Sequence, residues 1–407
     1  MKRALAISVI DQGVLSAQSL LITFALIRFG HGEAVGRFAL VMAIYFILLA
    51  IQDALAGAIL SVRVYARPKE EQRDLIGVIS TVAMIVLMGG AILVSVGVAA
   101  WLHFSPSLTI AMVATIVTGL YREFSRTVLI VTDRMRRCFT VDGLAAVGSI
   151  ALLPVMWQFN EPEAACLWSI AIAHGAATLA FGPKLHVSLR RVPDALRRYK
   201  ELFKLTRWNL VSGIANEVQS RTFLFLVEAF RGLVATATLH AGRLIISPII
   251  LLMMAIGRIV VPRMAHHIHQ GRIQDAYAII RLTAAGLFAA ALAYCLIMLP
   301  ALPLLERYLF RGQYPEIVPT MYAWGAYSVL SVPIWCLTWI YRAMERFREL
   351  AIVNVLDAIF VLLAMCSLLL PVPLYASVGA MIFSDLIVGI VLIRMLNDPR
   401  ALERLTA

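Results

Sequence analysis

The stretch LIGVISTVAMIVLMGGAILVSVGVAAW, from Leu75 to Trp101, contains no charged residue and no proline. Wound as a helix at about 1.5 Å per residue, it is long enough to cross a hydrocarbon core of roughly 30 Å. Runs of this kind recur along the whole chain. Hydrophobic residues make up 61% of the sequence and charged residues 15%, and the mean hydropathy is +0.85. A soluble globular chain has a much smaller apolar share. Alternation at period two is weak throughout, which argues against a closed β-barrel. Helices then remain as the way to satisfy every backbone donor in lipid.

Reading outward from that stretch, the apolar runs predict twelve spans. The first half holds 5–27, 38–60, 75–101, 108–131, 142–158 and 164–182. The second holds 208–229, 234–261, 277–305, 317–340, 350–370 and 374–394. The fold class expected is an all-α polytopic membrane protein with two six-helix lobes, 1–182 and 208–407, joined by a linker over 183–207. An even number of spans per half implies a parallel repeat about an axis along the membrane normal. The second span of each half ends similarly, Ser61-Val62-Arg63 against Val261-Pro262-Arg263.

The net charge is +12, and its placement orients the chain. With the N-terminus assigned to the cytoplasm, segments on that side carry 25 of the 36 Lys and Arg residues, counting Arg394 at the edge of the last span. The opposite side carries five, Arg28, Arg37, Arg231, Arg307 and Arg311. The positive-inside rule therefore places both termini in the cytoplasm. Lys2-Arg3 and the apolar run to Ile27 show no clean cleavage pattern, so this is read as an uncleaved first span.

Within the linker, Val192, Leu196, Tyr199, Leu202 and Phe203 recur at helical spacing among Arg190, Arg191, Arg197, Arg198, Lys200 and Lys204. This pattern predicts a basic amphipathic helix drawn to anionic lipid of the inner leaflet. In this setting the basic balance does not point to nucleic acid.

Eight charged residues fall deep in the spans: Asp53, Arg122, Glu123, Glu217, Arg221, Arg243, Asp357 and Asp385. Facing lipid, each costs roughly 2.5–3.5 kcal/mol, so the set approaches ~24 kcal/mol. They are expected to face the bundle interior, pair, or line a wet cavity. Gln12, Ser16, Ser19 and Thr23 form a polar stripe on the first span. Thr115, Thr118, Arg122 and Arg126 do so on the fourth, and Asn216, Glu217 and Arg221 lie close together on the seventh. Pro248 is expected to kink the eighth span after Arg243.

Internal salt bridges explain any one of these pairs, such as Glu217 with Arg221, or Arg122 with Asp53 or Glu123. As a set, Arg122, Arg126, Arg221 and Arg243 read as a cationic surplus suited to phosphate, whose oxygens a guanidinium binds bidentately. Asp53, Asp357 and Asp385 are lone carboxylates in apolar spans, candidates for coupling to H+ or Na+. A helix–helix hydrogen bond, for instance Asp357 with Asn354, is the plainer alternative for each.

No metal or other cofactor is expected. His266, His267 and His269 read as a solvated loop, since no Cys or carboxylate stands at ligand spacing. Cys138, Cys166, Cys295, Cys336 and Cys366 show no paired motif and read as inert thiols. No phosphate-binding loop motif occurs, and the outer loops are too short for a catalytic domain, so an enzyme is not expected.

The opening residues Asp11-Gln12, Ser16, Ser19, Arg28-Phe29-Gly30 and Gly36-Arg37-Phe38-Ala39-Leu40 resemble those of Wzx-type polysaccharide flippases. These belong to the MOP exporter superfamily, with the MATE exporters and the lipid II flippase MurJ. Gly232, Ala235, Ala237, Gly242-Arg243-Leu244, Pro248 and Pro262 are similar to the same family's seventh and eighth spans. Val35 departs from it, standing where an aromatic precedes the glycine, and MurJ carries two more spans. The resemblance implies alternating access of two lobes that move an undecaprenyl-diphosphate-linked oligosaccharide. In that picture Arg122, Arg126, Arg221 and Arg243 receive the diphosphate, and Gln12, Ser16, Asn216 and Glu217 line the glycan path. Polymerase and chain-length proteins of the same pathway are the implied partners. The competing readings are a MATE-like cation antiporter, a membrane glycosyltransferase or polymerase, and an assembly subunit of an export complex.

Overall fold

The computed structural model describes residues 2–60, 69–185, 187, 192–344, 346–365 and 372–396. Ser61-Val62-Arg63, Arg190, Arg191 and Cys366 lie outside the described residues. Among those described, the regular structure is entirely helical.

The first half contributes α1 (Lys2–Phe29), α2 (Gly32–Gly57), α3 (Glu71–Trp101), α4 (Pro106–Val131), α5 (Met135–Trp157) and α6 (Pro162–Phe181). The second contributes α7 (Val192–Arg231), α8 (Leu233–Ile268), α9 (Ile273–Phe310), α10 (Ile317–Ala343), α11 (Phe347–Met365) and α12 (Tyr375–Leu396). Nine of these, among the described residues, are long and apolar enough to cross a membrane on composition alone. The three that are not, α4, α7 and α11, carry Arg122, Glu123, Arg126, Glu217, Arg221 and Asp357. Charge is concentrated on three helices, and those three must be buried against neighbours to remain in the bilayer.

Local chemistry sets the helix ends. Ser105 caps α4, its hydroxyl accepting from Leu108 N–H at 3.3 Å, and Pro106 follows in the first turn. Gly232, at φ 81°, makes the tight reversal between α7 and α8 that a side chain would strain. Ahead of Pro248, α8 tightens into a 3-10 turn at Leu244–Ile246, where the regular ladder is interrupted. In α2 the winding loosens to a π turn over Asp53–Gly57, a departure often found at functional positions.

The chain divides into two compact units, Met1–Ile214 and Ala215–Ala407. The boundary falls inside α7, because the expected linker helix and the seventh span are one unbroken helix of 40 residues. Nothing between Asp194 and Ser212 breaks it, since neither glycine nor proline occurs there.

In the first unit, Glu163 of α6 is fully buried and receives Arg37 Nε of α2 at 2.6 Å. Gly119 of α4 lets Tyr45 of α2 pack against the helix. A Cβ there would sit 2.6 Å from the Tyr45 ring. In the second unit, the fully buried Trp324 of α10 donates its indole N–H to Leu239 O at 3.1 Å and stacks against Phe223 and Tyr327.

Gly119→Ala is therefore expected to lower stability by about 1–3 kcal/mol through overpacking. Thermal unfolding of the detergent-purified protein measures this, and an unchanged melting temperature would contradict the packing of Tyr45 on α4.

Candidate functional site

Each unit holds a polar centre, and the two are built differently. In the first unit the centre lies where α1, α4 and α5 meet. Arg122 Nη1 donates to Asp142 Oδ1 at 2.5 Å, and Nη2 donates to the adjacent Glu123. Arg126 Nη2 donates to Asp11 Oδ2 at 2.7 Å, while its Nε lies 2.9 Å from Asp142 Oδ2 and its Nη1 3.6 Å from Glu123. Asp142 is 0% exposed, Asp11 3% and Arg122 5%. Three carboxylates thus face two guanidinium groups, leaving one negative charge in excess.

This corrects the expected cationic surplus for this half. Arg122 and Arg126 are held by carboxylates of their own lobe, two of which, Asp11 and Asp142, escaped notice as buried charges. Asp142 stood at the first position of the expected fifth span, whereas α5 begins at Met135 and places it two turns inside the helix. The signal was the register Asp142, Ala145, Ser149, which puts carboxylate and hydroxyl on one face. Asp11, Cys138 and Asp142 bring possible metal-ligand atoms within 4.8 Å of one another. Arg126 binds the same carboxylates, so a guanidinium already serves as the cation there.

The polar seam continues along the same helices. Gln18, two turns from Asp11 on α1, donates to Ser149 Oγ at 2.9 Å and lies 3.2 Å from His174 Nε2 of α6. The inward face of α1 is therefore Asp11, Gln18, Ile22, Thr23, Leu26 and Ile27, which keeps only Thr23 of the expected stripe. Of the expected stripe, Ser16 and Thr23 turn their hydroxyls to their own helix, bonding Gln12 O and Ser19 O at 2.8 Å each. Gln12 is half-buried and Ser19 exposed. Asp53 opens the π turn of α2 and is exposed on the unit's surface, within electrostatic reach of Glu123.

In the second unit, Arg221 Nε pairs with Glu217 Oε2 one turn away at 2.6 Å, and Asn216 is exposed beside them. Arg243 Nη1 donates to Ser220 O at 2.7 Å, and its guanidinium lies 5.5 Å from the centre of the Trp324 ring. Among the described residues no carboxylate lies within ion-pair distance of Arg243. Its positive charge is held by a carbonyl dipole and an aromatic face.

Deeper in this unit, Asp357 of α11 and Asp385 of α12 are 5% and 4% exposed. Ser384 donates to Asp357 Oδ1 at 2.5 Å, and Ser331 to Asp385 Oδ2 at 2.6 Å. Gln219 Nε2 lies 3.3 Å from Asp385 Oδ1 and also bonds Asp357. The two carboxylates thus share an amide from α7, and Asp357 takes its hydroxyl from α12. Tyr327, also in contact with Asp385, and Gln219 carried no sequence signal, because a lone Tyr or Gln in a span reads as packing.

No family profile and no curated protein matches this chain. Solved structures do. An outward-facing multidrug resistance MATE family transporter of the MOP superfamily aligns with a TM-score of 0.70 at 12% identity, over 100% of this chain and 96% of its own. An inward-facing conformation of such a transporter aligns at 0.69 and 11%, over 96% and 94%. A MOP superfamily transporter from Pyrococcus furiosus, described as having a binding pocket of reverse polarity, aligns at 0.68 and 12%, over 100% and 96%. The chain has the MATE fold of two helical lobes, a multi-pass membrane architecture that occurs in both outward-facing and inward-facing states.

The pairing predicts unequal tolerance. Arg122→Ala strands buried carboxylates and is expected to cost about 3–5 kcal/mol, read as lost folded yield and a lower melting temperature. Asp142→Asn, which relieves the excess negative charge, should be much milder. Wild-type stability of Arg122→Ala would remove the network from the structure's core.

Proposed function

We propose that this chain is an alternating-access transporter of the bacterial inner membrane, with both termini cytoplasmic, that moves an undecaprenyl-diphosphate-linked oligosaccharide to the periplasmic leaflet. The fold supports transport by this route. The observation that carries the substrate class is Arg243, a guanidinium within a membrane bundle that no described carboxylate neutralises. Arg221 is paired with Glu217, so Arg243 is the guanidinium left to meet an anion, for which a diphosphate is a fitting ligand. Arg122 and Arg126 each pair with carboxylates of their own lobe and serve its interior. Gln12, Ser16 and Asn216 remain proposed glycan contacts. Asp357 and Asp385, two carboxylates on one amide, are proposed to take up the coupling H+ or Na+, with Asp53 as the exposed alternative. Polymerase and chain-length proteins remain proposed partners.

The carboxylate excess at Asp11, Glu123 and Asp142 favours a second reading, a MATE-like antiporter for organic cations. The two readings part on one residue. In a strain depleted of the protein, Arg243→Ala should leave lipid-linked oligosaccharide on the cytoplasmic face and cut its appearance outside by roughly ten- to a hundredfold, the range for a lost charge-assisted hydrogen bond. Arg243→Lys should recover part of it. Normal export by folded Arg243→Ala would sink the anionic substrate, and resistance to organic cations lost on Asp142→Asn would favour the antiporter.

A further inference from the structure

The N-terminal part of α7 has two faces with different fates. Ala195 and Tyr199 are buried, and with Leu202 they pack on Leu75, Ile79, Val82, Phe124 and Val128 of the first unit. Tyr199 donates its hydroxyl to Leu55 O at 2.5 Å, and Arg198 pairs with Asp74 at 2.6 Å. This segment therefore does not lie on the membrane by its whole apolar side, as the linker pattern suggested. Its inner apolar residues are already used by the protein.

The other face is exposed. Leu196, Lys200, Phe203 and Arg207 follow at i, i+4, i+7 and i+11, a single stripe along the helix. Leu196 is 41% and Phe203 40% exposed, with Arg197 beside them and Trp208 at the end of the stripe. The Arg207 guanidinium lies 5.9 Å from the Trp208 ring. Beyond Trp208 the same unbroken helix continues into the spanning segment.

We propose that this stripe binds the headgroups of resident anionic phospholipid. Its chemistry alternates short apolar contacts with cations at a fixed depth, where the helix passes from charged to membrane-spanning composition. Leu196, Phe203 and Trp208 reach the acyl boundary, and Arg197, Lys200 and Arg207 extend to phosphate. A soluble acidic partner would match the cations but not the apolar surface that the same face exposes at Leu196, Phe203 and Trp208. The proposal is independent of what the protein transports.

The test uses the full chain in detergent, with phosphatidylglycerol or phosphatidylcholine added and bound lipid counted by native mass spectrometry. Wild type should retain phosphatidylglycerol over phosphatidylcholine, and salt should weaken the preference. Each of Arg197→Gln, Lys200→Gln and Arg207→Gln should reduce binding roughly fivefold. Leu196→Ser with Phe203→Ser should reduce it while leaving the charge intact. Arg307→Gln with Arg311→Gln, at the other end of the second unit's helices, should not. Melting temperatures equal to wild type show that the variants fold; if the triple variant combining Arg197→Gln, Lys200→Gln and Arg207→Gln does not, Lys200→Glu alone must still abolish the preference. Equal retention of both lipids, or undiminished phosphatidylglycerol binding in the folded triple variant, overturns the proposal. Displacement of phosphatidylglycerol by a short-chain polyprenyl diphosphate at the same residues also overturns it, because the stripe would then be a substrate landing site.

Discussion

Inside a bilayer a charge has no water to turn to, so each ionised side chain in a span must find a partner within the protein. That requirement organises this molecule. The helices α4, α7 and α11 carry Arg122, Glu123, Arg126, Glu217, Arg221 and Asp357, and each is held in place by polar groups from its neighbours. In the first unit, Asp11 of α1 and Asp142 of α5 close on the two arginines of α4. In the second, Ser384 of α12 and Gln219 of α7 close on Asp357 of α11. Apolar packing at Tyr45 and Trp324 then fills the space that these contacts define.

The two units satisfy the requirement by different arrangements. The first gathers more carboxylates than guanidinium groups and turns them on one another, so its polarity is spent inward. The second leaves Arg243 resting on a backbone carbonyl and an indole face, with its charge unmatched by any described carboxylate. Arg122 and Arg126 each meet at least two carboxylates, whereas Arg243 keeps a carbonyl and an aromatic face as its partners. The MATE fold itself does not decide the sign of the cargo, since transporters with pockets of different polarity share it. The decision falls to individual side chains.

At the start of α7, one face is used for intramolecular packing and the other alternates cations with apolar side chains. The segment runs without a break into the rest of the same helix.

The all-helical membrane class and the position of most helices were legible from the sequence, because a twenty-residue apolar run has few alternatives in water or lipid, whereas the starts of α5 and α7 and the exposed position of Asp53 were not. Gly119 and Trp324 could be read only as small and large apolar residues. Which charge meets which was not legible, because a helix of period 3.6 presents several faces and pairing depends on the rotation of each helix against its neighbours. Thus α1 turned Asp11 and Gln18 inward with Thr23, and left Ser19 of the expected stripe exposed. Asp142 became the centre of a network only once α5 began at Met135. By itself the sequence determined that this chain is a bundle of membrane helices with costly charges inside. The tertiary structure decided, through helix rotation and register, that Arg122 and Arg126 are matched within their own lobe while Arg243 is not.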